Sequence, residues 1–120
     1  MEQMNRRAES ALALGKILAE HKGGDVSVLD VTGMNSWSDF FVIATVTSSA
    51  HSRGLQRHVR DSLKALDLEV RPTRRKTADG DDWTLIDLGD VVVHLMSKAA
   101  RDFYDLEKLW FGARDLMKAE

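Results

Sequence analysis

Four side chains in this sequence invite a reading as chemistry. Asp87 and Asp90 flank Leu88-Gly89, and Ser48 and Ser49 follow the apolar run Phe40 to Val46. Brought together, they would be a minimal set for an enzyme that uses a nucleotide and a divalent metal, with carboxylates holding ions over phosphate oxygens. The spacing of the two aspartates argues against this. They straddle a glycine turn rather than sharing one strand face, and magnesium sites add phosphate or several waters to their protein ligands. An aspartate beside glycine is explained more simply by a tight bend. His94 follows a valine run with no nucleophile or acid beside it, so a hydrogen-bonded structural histidine is the simpler account than a catalytic one. With no cysteine in the chain, thiolate metal sites, disulfides and cysteine nucleophiles are all excluded.

Binding chemistry is better represented. Arg53, Arg57, Arg60 and Lys64 recur at near-helical spacing, and Arg71, Arg74, Arg75 and Lys76 crowd one loop before Asp79, Asp81 and Asp82. Arginines so placed are candidates for RNA phosphates, although a solvated helix face is the plainer reading of the first row. Seventeen basic against nineteen acidic residues, a formal charge of -2, give no global attraction to nucleic acid. Aromatic residues are also concentrated: Trp83, Phe103, Tyr104 and Trp110 are half of all the Phe, Trp and Tyr. Trp83 falls on the less apolar face of its strand, and Tyr104 lies off the apolar stripe of its helix, where a phenol prefers a rim or an interface.

The elements that position these residues follow from periodicity. Trp83 to Leu88 alternates as a half-buried strand, with Thr84, Ile86 and Leu88 on the better core face and Trp83, Leu85 and Asp87 on the other. Gly89-Asp90 turns the chain, and Val91 to Met96 returns as an antiparallel partner covered on both sides. Ser97 then caps a helix whose stripe of Phe103, Leu106, Leu109 and Trp110 faces the core, leaving Tyr104 at its rim.

Upstream, residues 5 to 22 form a helix with Ala8, Ala11, Leu12, Ile17 and Leu18 on its apolar side, where Gly15 permits a close approach to a sheet. Asp25 to Val31 and Phe40 to Val46 are strands on either side of a loop at 34–38. Thr47, Ser48 and Ser49 supply cap oxygens for a helix to about Asp67, with Leu55, Val59, Leu63 and Leu66 inward. Leu68 to Val70 reads as a weak edge strand ended by Pro72. The order α, β, β, α, β, β, β, α predicts an α/β fold: a single domain over 1–120 with a mixed, about five-stranded sheet covered by helices. Residues 111–120 either extend the last helix or fray.

Composition agrees with a soluble globular chain: 120 residues, 43% apolar, 30% charged, one proline. The start lacks the apolar run of a secretory signal and no stretch is apolar for long enough to span a membrane, so a cytoplasmic location is expected and no membrane partner.

Three blocks in register carry a resemblance: Asp39 to Ala44 (DFFVIA), Trp83 to His94 (WTLIDLGDVVVH) and Phe103 to Trp110 (FYDLEKLW). They closely resemble the ribosomal silencing factor family, also called Iojap-like proteins, along nearly the whole chain. The resemblance implies a protein that binds the large ribosomal subunit through ribosomal protein fourteen, blocks joining with the small subunit, and so lowers translation when nutrients run short. It implies no cofactor, and a fold similar to nucleotidyltransferases without an established transfer activity. That fold's active members resemble a Gly-Ser turn followed by two carboxylates one residue apart; here the turn is Thr47-Ser48-Ser49 without glycine, and Asp87 and Asp90 have the wrong spacing. On the same resemblance, Trp83, Asp87, Asp90, His94, Arg101 and Tyr104 are the partner-binding candidates. A homodimer through an exposed apolar patch is left open. Departures from the family pattern are Phe40, where tyrosine is frequent, the bulky Trp37, and the loop from Arg71 to Asp82.

Overall fold

The computed structural model describes residues 2–34, 38–71 and 82–117. Trp37, the charged stretch 72–81 with Arg74, Arg75 and Lys76, and the last residues 118–120 lie outside them.

The first helix, α1 (Glu2–Glu20), buries Ala11, Leu14 and Leu18, which recur at helical spacing. It closes where Lys22 enters the left-handed region (φ 73°) and the Gly23 N–H donates to the Leu18 carbonyl at 2.7 Å, a Schellman arrangement. Strand β1 (Gly24–Asp30) follows directly, and α1 lies against it because position 15 is glycine. A Cβ there would stand 2.6 Å from Val28 Cγ2, closer than two carbons can approach.

Strand β2 (Phe40–Val46) leads to α2 (Ser49–Leu66), which is capped by Ser48: its Oγ accepts the His51 N–H at 3.0 Å. The hairpin predicted on either side of Gly89 is β3 (Trp83–Asp87) and β4 (Val91–Ser97), turned with Gly89 at φ 90°. Two short helices, α3 (Lys98–Tyr104) and α4 (Leu106–Leu109), precede β5 (Arg114–Asp115).

The sheet order is β3-β4-β2-β1-β5, parallel only between β2 and β4. The continuous Val91-Val92-Val93 run lies in an interior strand, buried on both faces as its pattern implies. Helices α1 and α2 cover one face over Val28, Phe40, Val42, Ala44, Val91, Val93 and Leu95. Helices α3 and α4 cover the other over Leu29, Phe41, Ile43, Val92 and Met96.

Three expectations are corrected. Leu68 to Val70 forms no strand: the Leu68 N–H is taken by the Leu63 carbonyl in closing α2, and among the described residues of this stretch it is Arg71 whose N–H reaches β3, at the Asp87 carbonyl. The fifth strand is instead β5, within the stretch expected to extend the last helix or fray. It pairs with the free edge of β1, Leu29 opposite Asp115. The last helix is interrupted at Asp105, which takes left-handed geometry (φ 44°). The stripe therefore breaks: Leu106 is buried and Trp110 half-buried, while Phe103 and Leu109 turn outward, 81% and 69% exposed.

Candidate partner-binding surface

The face of β3 expected to be the more open one is a second core face. Leu85 and Trp83 pack against the cluster formed by Phe41, Ile43, Val92 and Met96, so Trp83 is half-buried rather than a free anchor. A sheet covered on both faces leaves an edge strand no fully exposed side.

Register brings Leu85 opposite His94 and Trp83 opposite Met96, all pointing to this face. The Trp83 indole N–H reaches across to donate to His94 Nδ1 at 3.1 Å. An accepting Nδ1 places the proton of neutral His94 on Nε2. His94 itself is buried, with the edge of Phe41 at a centroid distance of 4.8 Å.

From this pair the rings run outward in an unbroken series. Trp83 meets Tyr104 at 4.7 Å and Tyr104 meets Phe103 at 5.0 Å, edge to face. Inward, Phe41 meets Trp110 at 5.4 Å, also edge to face. The edge-to-face pairs have a geometry favoured by aromatic rings, while Trp83 and Tyr104 are tilted at 49°. The series begins in the core and ends at Phe103 in solvent, with Tyr104 about halfway at 42% exposed. A ring already packed against its neighbour, as Tyr104 is against Trp83, loses less side-chain freedom when a partner covers it than a free one does.

Phe103, Leu109 and Phe111 are the exposed apolar residues that periodicity missed, the first two assigned to the core stripe and the third to the tail.

Arg101 belongs to this side of the sheet but not to its surface. It is 6% exposed, and its guanidinium donates to Glu107 Oε2 at 2.6 Å, to Ser27 Oγ at 3.1 Å and to Thr45 Oγ1 at 3.0 Å. The residue thus ties α3 to α4, β1 and β2, and orients the helix that carries Phe103 and Tyr104. Burial would raise the Glu107 carboxyl, but the hydrogen bond and charge of Arg101, with Ser27, outweigh it and hold the group below its usual range. Arg101 also floors a cleft of about 500 Å³ rimmed by Asp25, Lys98, Asp102 and Asp105.

The remaining candidates lie elsewhere. Asp87 Oδ1 accepts the Gly89 N–H at 2.9 Å, the bend its neighbour implied, and Asp90 Oδ2 accepts from Arg7 Nε at 2.8 Å. Both sit at the end of the sheet where Phe40 pairs with Val91, whereas Ser48 caps α2 beyond the opposite end of β2. Seven strand residues, ~20 Å, separate the two groups, so the set required for metal-assisted nucleotide chemistry does not converge. No group of three or more acidic or histidine side chains among the described residues could hold a metal ion. Arg53, Arg57, Arg60 and Lys64 line the outer side of α2, while Arg71 lies apart, its guanidinium against Gly89.

Comparison with known proteins adds an independent observation. A family model described as "Ribosomal silencing factor during starvation" matches residues 4–120. The ribosomal silencing factor of Treponema pallidum is 36% identical over 101 residues, 84% of this chain and 89% of that protein. A mouse protein named "Mitochondrial assembly of ribosomal large subunit protein 1" is 33% identical over 81% of this chain and 43% of its own length. Among solved structures, a Chromobacterium violaceum protein superposes with a TM-score of 0.74 at 33% identity, covering 88% of this chain and 87% of that one.

Proposed function

The chain belongs to the ribosomal silencing factor family, and on that premise we propose that it docks on the large ribosomal subunit through ribosomal protein fourteen and keeps the small subunit from joining. The observation that supports the docking surface is the ring series from His94 through Trp83 and Tyr104 to Phe103, anchored in the core and open at one end. The mechanism is steric. A protein interface of standard size buries roughly 1,200 to 2,000 Å² in total, which a domain measuring 38 × 32 × 31 Å supplies from one side. Occupying the subunit-joining surface needs no bond made or broken, so the chain acts as a regulator of translation rather than an enzyme, in the cytoplasm. No helix among the described residues is long and apolar enough to cross a membrane.

In this reading Trp83, His94 and Tyr104 form and support the contact, Arg101 positions it, and Asp87 and Asp90 shape the turn at the far end of the hairpin. Self-association through the same rings would compete with docking, and sedimentation of the free chain measures it. The deciding experiment is co-sedimentation with purified large subunits, followed by addition of small subunits and separation of joined from free particles. The intact chain should sediment with large subunits and lower the joined fraction. Phe103→Ala with Tyr104→Ala should lose both effects while melting like the parent. Binding that survives the double substitution would move the contact off this surface.

A further inference from the structure

The outer row of α2 has no part in the surface just described, because α2 covers the opposite face of the sheet. Arg53, Arg57, Arg60 and Lys64 are all exposed. At 3.6 residues per turn they fall within an arc of about 60° and extend along about 16 Å of helix. Leu55, Val59 and Leu63 hold the inner side of the helix against the sheet.

No ion pair among the described residues involves any of these four cations, whereas Arg7, Lys98 and Arg101 each hold a carboxylate. Even Asp61, one turn beyond Arg57, makes no pair with it. Like charges three and four residues apart work against the helix that carries them. The row is therefore a line of exposed cations that hold no carboxylate among the described residues, in a chain whose formal charge is -2. An opposite charge lined up along it would offset the repulsion between neighbours.

We propose that this face of α2 binds the phosphate backbone of RNA. Three of the four cations are arginine, whose planar fork bonds phosphate oxygens two at a time. The line is long enough to follow successive phosphates of one strand. It carries no Phe, Trp or Tyr to stack on bases, so it reads the backbone and not the sequence. Because the row and the aromatic surface lie on opposite faces of the sheet, RNA on one leaves the other open. The inference stands on the row alone and does not rest on the protein contact proposed above.

The test is fluorescence anisotropy with a labelled RNA hairpin across a range of salt. Four phosphate contacts on a duplex give a slope of about -3.6 in log K against log salt, so affinity should fall roughly a hundredfold from 50 to 200 mM salt. Arg57→Gln should lower the slope by about one, and Gln at all four positions should abolish binding. A charge-matched control with Gln at Lys16, Lys98, Lys108 and Arg114 should bind as the parent does, as should Phe103→Ala. The proposal is overturned by absence of binding at 50 mM salt, by equal losses in the row variant and the control, or by a row that prefers phosphatidylserine vesicles to the hairpin.

Discussion

The two faces of the sheet are covered in different ways. Helices α1 and α2, of 19 and 18 residues, seal one face with aliphatic side chains such as Leu14, Leu18, Leu55 and Val59. Helices α3 and α4, of 7 and 4 residues, cover only part of the other. That face is completed by rings and by the Arg101–Glu107 pair, and its cover thins until Phe103 stands in solvent. Long helices bury apolar area along their whole length, and stability concentrates there. A thin cover leaves apolar side chains open to a partner, and the proposed docking surface lies there.

The sharpest way to break this contrast is to truncate one residue on each side. Leu55→Ala on the sealed face should lose 2–5 kcal/mol, on the order found for buried leucines. Phe103→Ala should stay within about 0.5 kcal/mol, as exposed positions do. Urea denaturation measures both, and comparable losses would mean that the two faces are equivalent. Binding should respond in the opposite sense. Removing the Phe103 and Tyr104 rings together should cost about 2 kcal/mol or more, roughly thirtyfold in Kd for large subunits, whereas Leu55→Ala should leave the affinity of the folded fraction unchanged.

A smaller effect tests the ion pair that holds the short helices. Glu107→Gln keeps the shape and leaves Arg101 buried opposite a neutral acceptor. Enclosed pairs lose about 3–5 kcal/mol when broken, but the Glu107 side chain is 34% exposed, so solvent screening should reduce the loss to about 1–2 kcal/mol. The pH dependence sharpens this further. Glu107 titrates lower in the folded chain than in the unfolded one. Its contribution is therefore complete above the unfolded value, about 4.3, and is lost as pH falls through the lower folded value. The stability gap between parent and Glu107→Gln should be flat from pH 7 to 5 and close below about pH 4.3. A gap that persists in acid would assign the effect to packing.

The smallest change removes one proton donor. Trp83→Phe keeps the ring against Tyr104 and deletes the N–H that reaches His94, and should cost about 1 kcal/mol in thermal or urea unfolding. Retained binding to large subunits would identify the indole nitrogen as a support for the surface. Lost binding would identify Trp83 as a contact.

Much of the architecture was legible from local pattern. The alternation of Trp83 to Leu88, the glycine at 89 and the valine run after it specify a hairpin because side-chain period and turn chemistry act over a few residues. Ser48 and Ser97 announce their helices for the same reason: a cap needs only its own oxygen and an N–H three residues on. The blocks around Asp39, Trp83 and Phe103 pointed to the family. The fifth strand was misplaced because Arg114-Asp115 has no strand pattern of its own. It is extended only because the edge of β1 offers partners.

The candidate surface divides along the same line. Residue types and spacing argued against Asp87 and Asp90 as a metal pair, a judgement that concerns neighbours in the chain. Only the folded sheet decided that Trp83 would be half-buried against His94, that Arg101 would turn inward to Glu107, and that Ser48 would stand a strand's length from Asp87. Each of those outcomes joins residues brought together by strand register and by the packing of α3 and α4, which no window of local sequence contains. The break at Asp105 belongs with them: the helical period predicts a buried Phe103, and the left-handed turn that closes α3 places it in solvent.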